Sequence, residues 1–583
     1  MNTTRRQVLM FAGGSAVGVM FTPAPWRLIT DTALWSENWP GIPAPPRGEI
    51  RARFTNCSLC TAGCAVRARC VGDQPVELAG VAGHPLSHGA LCPFGILGHH
   101  LPYRPERLKE GPVSQATASV ADGIAKRGPS ELVVTLDLRP GRTASWTYRR
   151  AMGAIKNGRY VAASADTQVA VDLLKARTVL SFGVPVLDGW GTPGNVHAAR
   201  PGFRLIQIDA VESRTASMAD QWLRVRPNAE DGLAQALAGQ ISYAAAADAT
   251  GLAVADIAAL ARELEQNGPV LVLGSSRLES TGGTVVARPD APMPDGWTKS
   301  APVTDLASLP DRSIRVLLID ESAPGGYLQW NAIARKLVAD NPMVVTFASS
   351  RDGYARHANY TLPVAVYPEV AGDIPPAVDS IVANFRIATP LLPPPSGVVN
   401  PEAFIASAAG LAIGDTLRER ADAIHKSARG TLFTYADGKS QSLKDMKADD
   451  FWKSLNAGGC WIDEPAAKVT AARLASGAPG RQPAEESDLP LAIVVAREAA
   501  AGMPLLSKVY RESNLRLAPG HVALHPACGL AEGSQAIFET LLGKATVGVT
   551  LDPGIPPGVV QVSATPALLD LCGEGARAKV VRS

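Results

Sequence analysis

The sequence predicts a multi-domain α/β protein, and three observations support this. The chain has 583 residues, roughly four domains at about 150 residues each. Short apolar runs at residues 314–320 and 343–347 flank a helical segment near 332–340, as parallel strands joined by crossover helices require. From Leu491 to Ser583 apolar and polar residues alternate, with turn signals at Asp552-Pro553-Gly554 and Pro556-Pro557-Gly558, which is a pattern of strands.

Composition narrows the class. Lys and Arg number 56 against 54 Asp and Glu, a formal charge of +2, too little for the counterion release on which nucleic-acid binding depends. Nucleic acid is therefore not an expected partner. Hydrophobic residues make up 46% and charged ones 19%, so a large core can be buried.

Of eight cysteines, Cys57, Cys60, Cys64, Cys70 and Cys92 are clustered, while Cys460, Cys528 and Cys572 stand alone. A long chain with one dense knot of cysteines points to metal ligation rather than a disulfide framework. Cys57, Cys60, Cys64 and Cys92 follow the spacing C-x2-C-x3-C-x27-C. Three thiolates on one compact loop and a distant fourth match the way cubane clusters with four Cys ligands are held. Gly63 and Gly95 would permit tight backbone beside the sulfurs. A tetrahedral zinc site and an unmetallated relic are the alternatives. Cys70 and the three isolated cysteines read as small buried residues, and His84, His88, His99 and His100 as surface or supporting groups rather than ligands.

At the N-terminus, Thr4-Arg5-Arg6-Gln7-Val8-Leu9 precedes an apolar run at 8–21 and resembles a twin-arginine export signal, without a clear cleavage site. That route carries folded, cofactor-bearing proteins. The segment Trp35-Ser36-Glu37-Asn38-Trp39-Pro40, with Pro43, Pro45 and Pro46 after it, reads as an extended arm. Its tryptophans would meet either a partner or this chain's own surface.

The cysteine motif, together with Gly83-His84-Pro85, Gly89-Ala90-Leu91-Cys92 and Tyr103-Arg104-Pro105-Glu106-Arg107-Leu108-Lys109, resembles the N-terminal iron-sulfur domain of the molybdopterin oxidoreductase superfamily, the dimethyl sulfoxide reductase-like enzymes. The likeness continues through Arg177-Thr178-Val179-Leu180-Ser181-Phe182-Gly183 and Arg204-Leu205-Ile206-Gln207-Ile208-Asp209. It then takes in the run from Ala219-Asp220 to Pro227, which in the family precedes a long helix, and Ala358-Asn359-Tyr360-Thr361-Leu362-Pro363-Val364 with Tyr367-Pro368-Glu369. It is weakest over 391–489. The resemblance implies an iron-sulfur domain at 47–112 after a signal region at 1–26 and an arm at 27–46. It further implies α/β domains at 113–310 and 311–487 and a C-terminal, dinucleotide-binding-like β-barrel at 488–583. It implies one 4Fe-4S cluster on Cys57, Cys60, Cys64 and Cys92, and Gly183 and Asp209 as the positions that would hold a pterin.

Three departures from the family are visible. Two residues past the fourth cysteine, where catalytic relatives carry a Lys or Arg, stands Phe94, which cannot donate a charged hydrogen bond. The region 144–175 is brief and has no cysteine to ligate molybdenum, Ser164 and Asp166 being the only substitutes and each reading as a loop residue. Gly183-Val184-Pro185 removes a side chain that would bond the pterin.

Together with the arm, Phe451-Trp452-Lys453, Gly458-Gly459-Cys460-Trp461 and the run from Leu506 to Ser513, these departures resemble the branch found in the quinone reductase complex and alternative complex III. Its subunits keep the fold and are thought to lack the molybdenum cofactor. That likeness implies an exported, periplasmic iron-sulfur subunit, peripheral or held by an uncleaved signal, that transfers electrons and serves as a scaffold. Its partners would be a separate ferredoxin-like iron-sulfur subunit, a polytopic quinone-binding membrane subunit and a multihaem cytochrome c. The alternatives are an active oxidoreductase carrying molybdopterin guanine dinucleotide with Mo or W, and an assembly scaffold with no redox centre.

Overall fold

The computed structural model describes residues 4–21, 48–164, 169–297, 300–464, 468–470, 473–474, 488–496, 517–573 and 577–583. The arm at 27–46, Asp166 and the run from Leu506 to Ser513 lie outside them. The chain divides into two units, Met1–Arg51 with Cys70–Gln74, and Ala52–Arg69 with Pro75–Ser583.

In the first unit the apolar run forms one helix, Arg5–Phe21, with Val8, Leu9, Met10 and Phe11 exposed. The turn at Gly72 receives a hydrogen bond from Arg51 and donates its N–H to Glu49 at 2.9 Å. No single helix among the described residues is long and apolar enough to cross a membrane.

The second unit is built from layers. A six-stranded, all-parallel sheet runs in the order Val303–Thr304, Gly158–Ala162, Leu132–Asp137, Ile314–Asp320, Met343–Ala348, Tyr360–Pro363. Its central strand Leu132–Asp137 is buried at every position, as a parallel strand covered on both faces must be. A separate parallel sheet of four strands has the order Val270–Leu273, Thr178–Phe182, Arg204–Asp209, Gln221–Arg224. The domain boundary expected at 310/311 therefore falls inside one sheet. Strands on both sides of it pair, with Leu132–Asp137 lying directly beside Ile314–Asp320. Parallel neighbours need only a crossover between them, and here the four-stranded unit is inserted into that crossover.

The long helix expected after Pro227 is instead three short ones, Glu230–Leu237, Tyr243–Thr250 and Val254–Gln266. Gly239 and Gly251 take left-handed conformations (φ +70° and +79°) and Ser242 caps the second helix by accepting from Ala245 N–H. Each break therefore has a local cause.

Beside a small antiparallel sheet of Lys468–Val469, Val285–Ala287 and Val169–Val171, two larger ones belong to the unit. Gly372–Asp373, Ala383–Ala388, Gly459–Asp463, Thr431–Thr434 and Ser440–Ser442 form an antiparallel sheet over much of the stretch where the family likeness was weakest. The C-terminal strands close into a six-stranded barrel around Ile493, Val522, Phe538, Val549 and Val560, as the sequence predicts.

Two sequence segments singled out by the family likeness meet in the interior. Arg107 donates to Glu369 Oε1 at 2.6 Å and also to Oε2, with both side chains nearly inaccessible, while Leu108 N–H bonds Ser349 O at 2.8 Å. A buried ion pair is costly to break on one side only. Arg107→Met should therefore lower unfolding stability by about 3–5 kcal/mol, and the double change Arg107→Met with Glu369→Met should recover most of it, as urea unfolding would read out.

Candidate metal centre

Strand Ile50–Asn56 leads into the cysteine loop and strand Ala65–Val71 leads out. The incoming strand is tied to Ala383–Ala388 and its continuation: Asn56 Nδ2 donates to Ile387 O at 2.9 Å and Thr55 Oγ1 to Thr389 O at 2.8 Å. Cys57 N–H bonds Cys64 O at 2.9 Å and closes the loop. Gly63 turns it with φ +50°, and a Cβ there would lie 2.8 Å from the guanidinium carbon of Arg386, so both conformation and space require glycine. Cys92 caps the short helix Pro93–Leu97. Gly95 in that helix would bring a Cβ to 2.5 Å from Leu91 and 3.6 Å from Cys57 Sγ, so here glycine permits close approach rather than a turn.

The four cysteines come together. Cys57 and Cys64 are buried, and Cys60 and Cys92 are partly accessible. Burial pushes the Cys57 thiol well up, and Cys60, Cys64 and Cys92 raise it further because their charges would repel a thiolate. Cys64 is raised by burial, then by Cys60 and Cys92, with the Arg386 charge acting in the opposite direction. Cys92 is raised by burial, opposed by the N–H groups of Gly95 and Phe94. The thiols of Cys57, Cys64 and Cys92 therefore keep their protons unless a cationic group takes their negative charge.

Unsatisfied donors surround the thiols. Tyr367 is buried with its ring against Gly98, where a Cβ would lie 2.2 Å from a ring carbon, and its hydroxyl has no acceptor among the described residues. Arg386 Nε is likewise buried without an acceptor. The sulfurs of a cluster would supply acceptors at both, so the residues present fit an iron-sulfur group held by Cys57, Cys60, Cys64 and Cys92. Among the described residues no three His, Cys, Asp or Glu side chains converge as ligands of one ion do. A cage in which each iron takes one thiolate does not ask for that convergence, whereas tetrahedral zinc does.

The remaining sequence candidates fall elsewhere. Cys70, Cys460 and Cys572 are buried, but Cys528 is exposed, because it ends the turn Pro526–Cys528 ahead of left-handed Gly529. His84 is fully buried between Phe433 and Tyr435, its Nδ1 accepting from Leu86 and Ser87 N–H, and burial with the Arg386 charge pushes it down to about 3. It is a neutral packing group. Phe94 is buried, and Ser164 lies exposed in a bend.

A cavity of about 1090 Å³ opens beside the cysteine loop at the carboxyl ends of the six-stranded sheet, where open α/β sheets bind their ligands. Leu59, Arg139, Glu321, Tyr367 and Thr565 are among its walls. Gly183 and Asp209 do not line it. They end neighbouring strands of the four-stranded sheet, where Asp209 accepts from Gln207 Nε2 and Ser213 Oγ at 2.8 and 2.7 Å. The barrel covers that end through Ala523, Ile555 and Val559 packed on Ala210 and Val211.

The cavity's arginines are already engaged. Arg139 bonds main-chain carbonyls, Arg142 pairs with Asp137 and Asp320, Arg356 with Asp570, and Arg104 lies 3.4 Å from Glu106. Acidic residues outnumber them in the walls, so the charge does not suit a pyrophosphate-bearing pterin dinucleotide. The buried arginines Arg139 and Arg386 were missed by the sequence reading. Their signals were an arginine inside the otherwise uncharged buried strand Ala383–Ala388 and another just past the carboxyl end of Leu132–Asp137.

A cysteine-bearing loop, parallel α/β layers and a closed β-barrel beside the cavity define the class: a multi-domain α/β protein with a C-terminal barrel. No family model matches the chain. It is 24% identical to the menaquinone reductase, molybdopterin-binding-like subunit of Nitratidesulfovibrio vulgaris (strain Hildenborough), over 95% of this chain and 92% of that one. Its fold is similar to acetylene hydratase from Pelobacter acetylenicus, with a TM-score of 0.67 and 13% identity over 91% of this chain and all of that one. In sequence over nearly its full length and in fold, the chain is therefore similar to proteins of the molybdopterin oxidoreductase kind.

Glu321 gives the cavity a pH signature. Burial raises its carboxyl from 4.5 to about 8, against the Tyr354 N–H and the Arg356 charge, which lower it. The folded protein thus holds a proton that the unfolded chain releases, and stability falls as pH rises between those values. Glu321→Gln should abolish this contribution, so that its unfolding free energy from urea titration gains on the wild type between about pH 5 and 8, by up to a few kcal/mol.

Proposed function

We propose that this chain is an iron-sulfur subunit of a membrane-associated respiratory quinone oxidoreductase complex. In this reading it transfers electrons through one 4Fe-4S cluster and acts as a scaffold, without molybdenum chemistry of its own. The single observation that carries the proposal is the cage of Cys57, Cys60, Cys64 and Cys92, flanked by the buried, unsatisfied donors of Tyr367 and Arg386. When bound, the cluster supplies one-electron transfer at a potential set by burial, hydrogen bonds and net charge. The chain's own residues hold it: Cys57 and Cys64 from the interior, and Cys60 and Cys92 from the more accessible side, where electrons would enter or leave.

The full-length similarity to a menaquinone reductase subunit supports placing the chain in a quinone-linked complex. Its neighbours there would be a separate ferredoxin-like iron-sulfur subunit, a polytopic quinone-binding membrane subunit and a multihaem cytochrome c. The Arg5-Arg6 pair at the head of an exposed apolar helix supports export by the twin-arginine route and a position at the periplasmic face.

The cavity beside the cysteine loop favours a second reading, an active molybdopterin-dependent enzyme. Its engaged arginines, buried Phe94 and the distance of Gly183 and Asp209 from its walls count against that reading.

Metal analysis of the purified protein decides between them. About four irons per chain with no molybdenum or tungsten is the expected result, and Cys60→Ser should lose iron while Cys70→Ala keeps it. Stoichiometric molybdenum would establish the second reading instead, and a metal-free protein would leave only an assembly scaffold.

A further inference from the structure

Two guanidiniums reach the cysteine loop from different sheets. Arg386, on the antiparallel strand Ala383–Ala388, donates to Ala62 O and Gly63 O at 2.7 and 2.8 Å and to Thr61 O at 3.3 Å. Arg139, just past the parallel strand Leu132–Asp137, donates to Ser58 O and to Leu59 O, the latter at 2.7 Å, and its Nε bonds Pro324 O at 2.8 Å. Arg386 is 1% exposed and Arg139 4%. Among the described residues neither guanidinium bonds a carboxylate, and the hydrogen bonds they donate end on main-chain carbonyls, while the main-chain N–H of Arg139 bonds Asp137 Oδ1 and the Asp320 charge acts on Arg139 through space.

A buried cation without an anion is expensive, and such groups persist where something supplies the countercharge. The titratable groups beside Arg386 do not. His84 is pushed down to about 3 and Cys460 up to about 12, so both are neutral. The source of negative charge common to both arginines is the cysteine set: the Arg386 charge acts on Cys64, and Cys60 and Cys57 act on Arg139 ahead of Asp320.

The hydrogen bonds add a second effect. The peptide whose carbonyl Arg139 grips at Ser58 has the Leu59 N–H as its other end, and that N–H is directed at Cys57. The peptide gripped by Arg386 at Gly63 ends in the Cys64 N–H, which is directed at the Cys64 sulfur itself. Each arginine therefore fixes a peptide dipole with its positive end toward a ligand sulfur.

We infer that Arg386 and Arg139 are the charge partners of the cluster and hold its midpoint potential up, in place of the basic side chain that position 94 lacks. This rests on the cluster assignment above. Reduction adds an electron to an already anionic group, and fixed positive charge in a low-dielectric site stabilises the reduced form more than the oxidised one. Both are positioning residues, acting through the loop and through space.

The test is a redox titration followed by electron paramagnetic resonance on the full-length protein, with iron measured on every sample. Arg386→Gln and Arg139→Gln are each expected to lower the midpoint potential at unchanged iron content, and Arg386→Lys to stay nearer the wild type. Wild-type potentials in both Gln variants, with iron retained, would overturn the inference. If both Gln variants arrive without iron, the Lys variants decide: loading at near wild-type potential supports the charge role, whereas an empty Arg386→Lys and Arg139→Lys would reduce both arginines to loop struts. A wild type that holds no cluster is a separate result, and it would sink the cluster assignment itself.

Discussion

Four cysteine thiols gathered at one loop, two of them buried, are the constraint around which the surrounding structure is organised. Burial and the neighbouring thiols raise the ionisation threshold of Cys57 and Cys64, so a thiolate at either needs positive charge and N–H dipoles facing it. The surrounding structure supplies both. The loop carbonyls of Ser58, Leu59 and residues 61–63 turn outward to Arg139 and Arg386, the N–H groups of Leu59 and Cys64 turn toward sulfur, and the helix behind Cys92 adds the amides of Phe94 and Gly95. Gly63 is glycine because a guanidinium occupies the space a side chain would need.

The rest of the fold delivers those groups. Arg139 stands at the carboxyl end of the six-stranded sheet and Arg386 within the antiparallel sheet, so the loop is held between two layers that share no strand. The buried Arg107–Glu369 pair fastens the segment after the cysteine domain to the turn that bears Tyr367. The cavity alongside keeps the position of a ligand site in an open α/β sheet, while its arginines are spent on carbonyls and internal carboxylates. A fold can retain the shape of a site whose chemistry has changed.

Much of this was legible in the sequence, and the illegible part has a common cause. The cysteine spacing is local, so the cysteine loop could be read directly, as could the barrel from its alternation and the strands Arg204–Asp209 and Ile314–Asp320 from their apolar runs. The domain boundary at 310/311 was misplaced because parallel pairing between Leu132–Asp137 and Ile314–Asp320 leaves no local mark at either strand. Gly183 and Asp209 came from the family resemblance; the fold puts them at strand ends of the four-stranded sheet, and the barrel packed over that end left no local mark in the sequence. Arg386 reaches its carbonyl acceptor across 324 residues of sequence, a separation no motif spans. Its one trace was a charge inside a buried strand, where an arginine is tolerated only with a strong partner.

The most direct measurement of the central claim is the Mössbauer spectrum of the purified full-length protein enriched in iron-57. A single cubane-type spectrum of electron-sharing irons, lost in Cys60→Ser, is the expected result. A spectrum of isolated high-spin iron, or none from protein that is folded, would contradict the assignment of Cys57, Cys60, Cys64 and Cys92 as the ligands of a 4Fe-4S cluster.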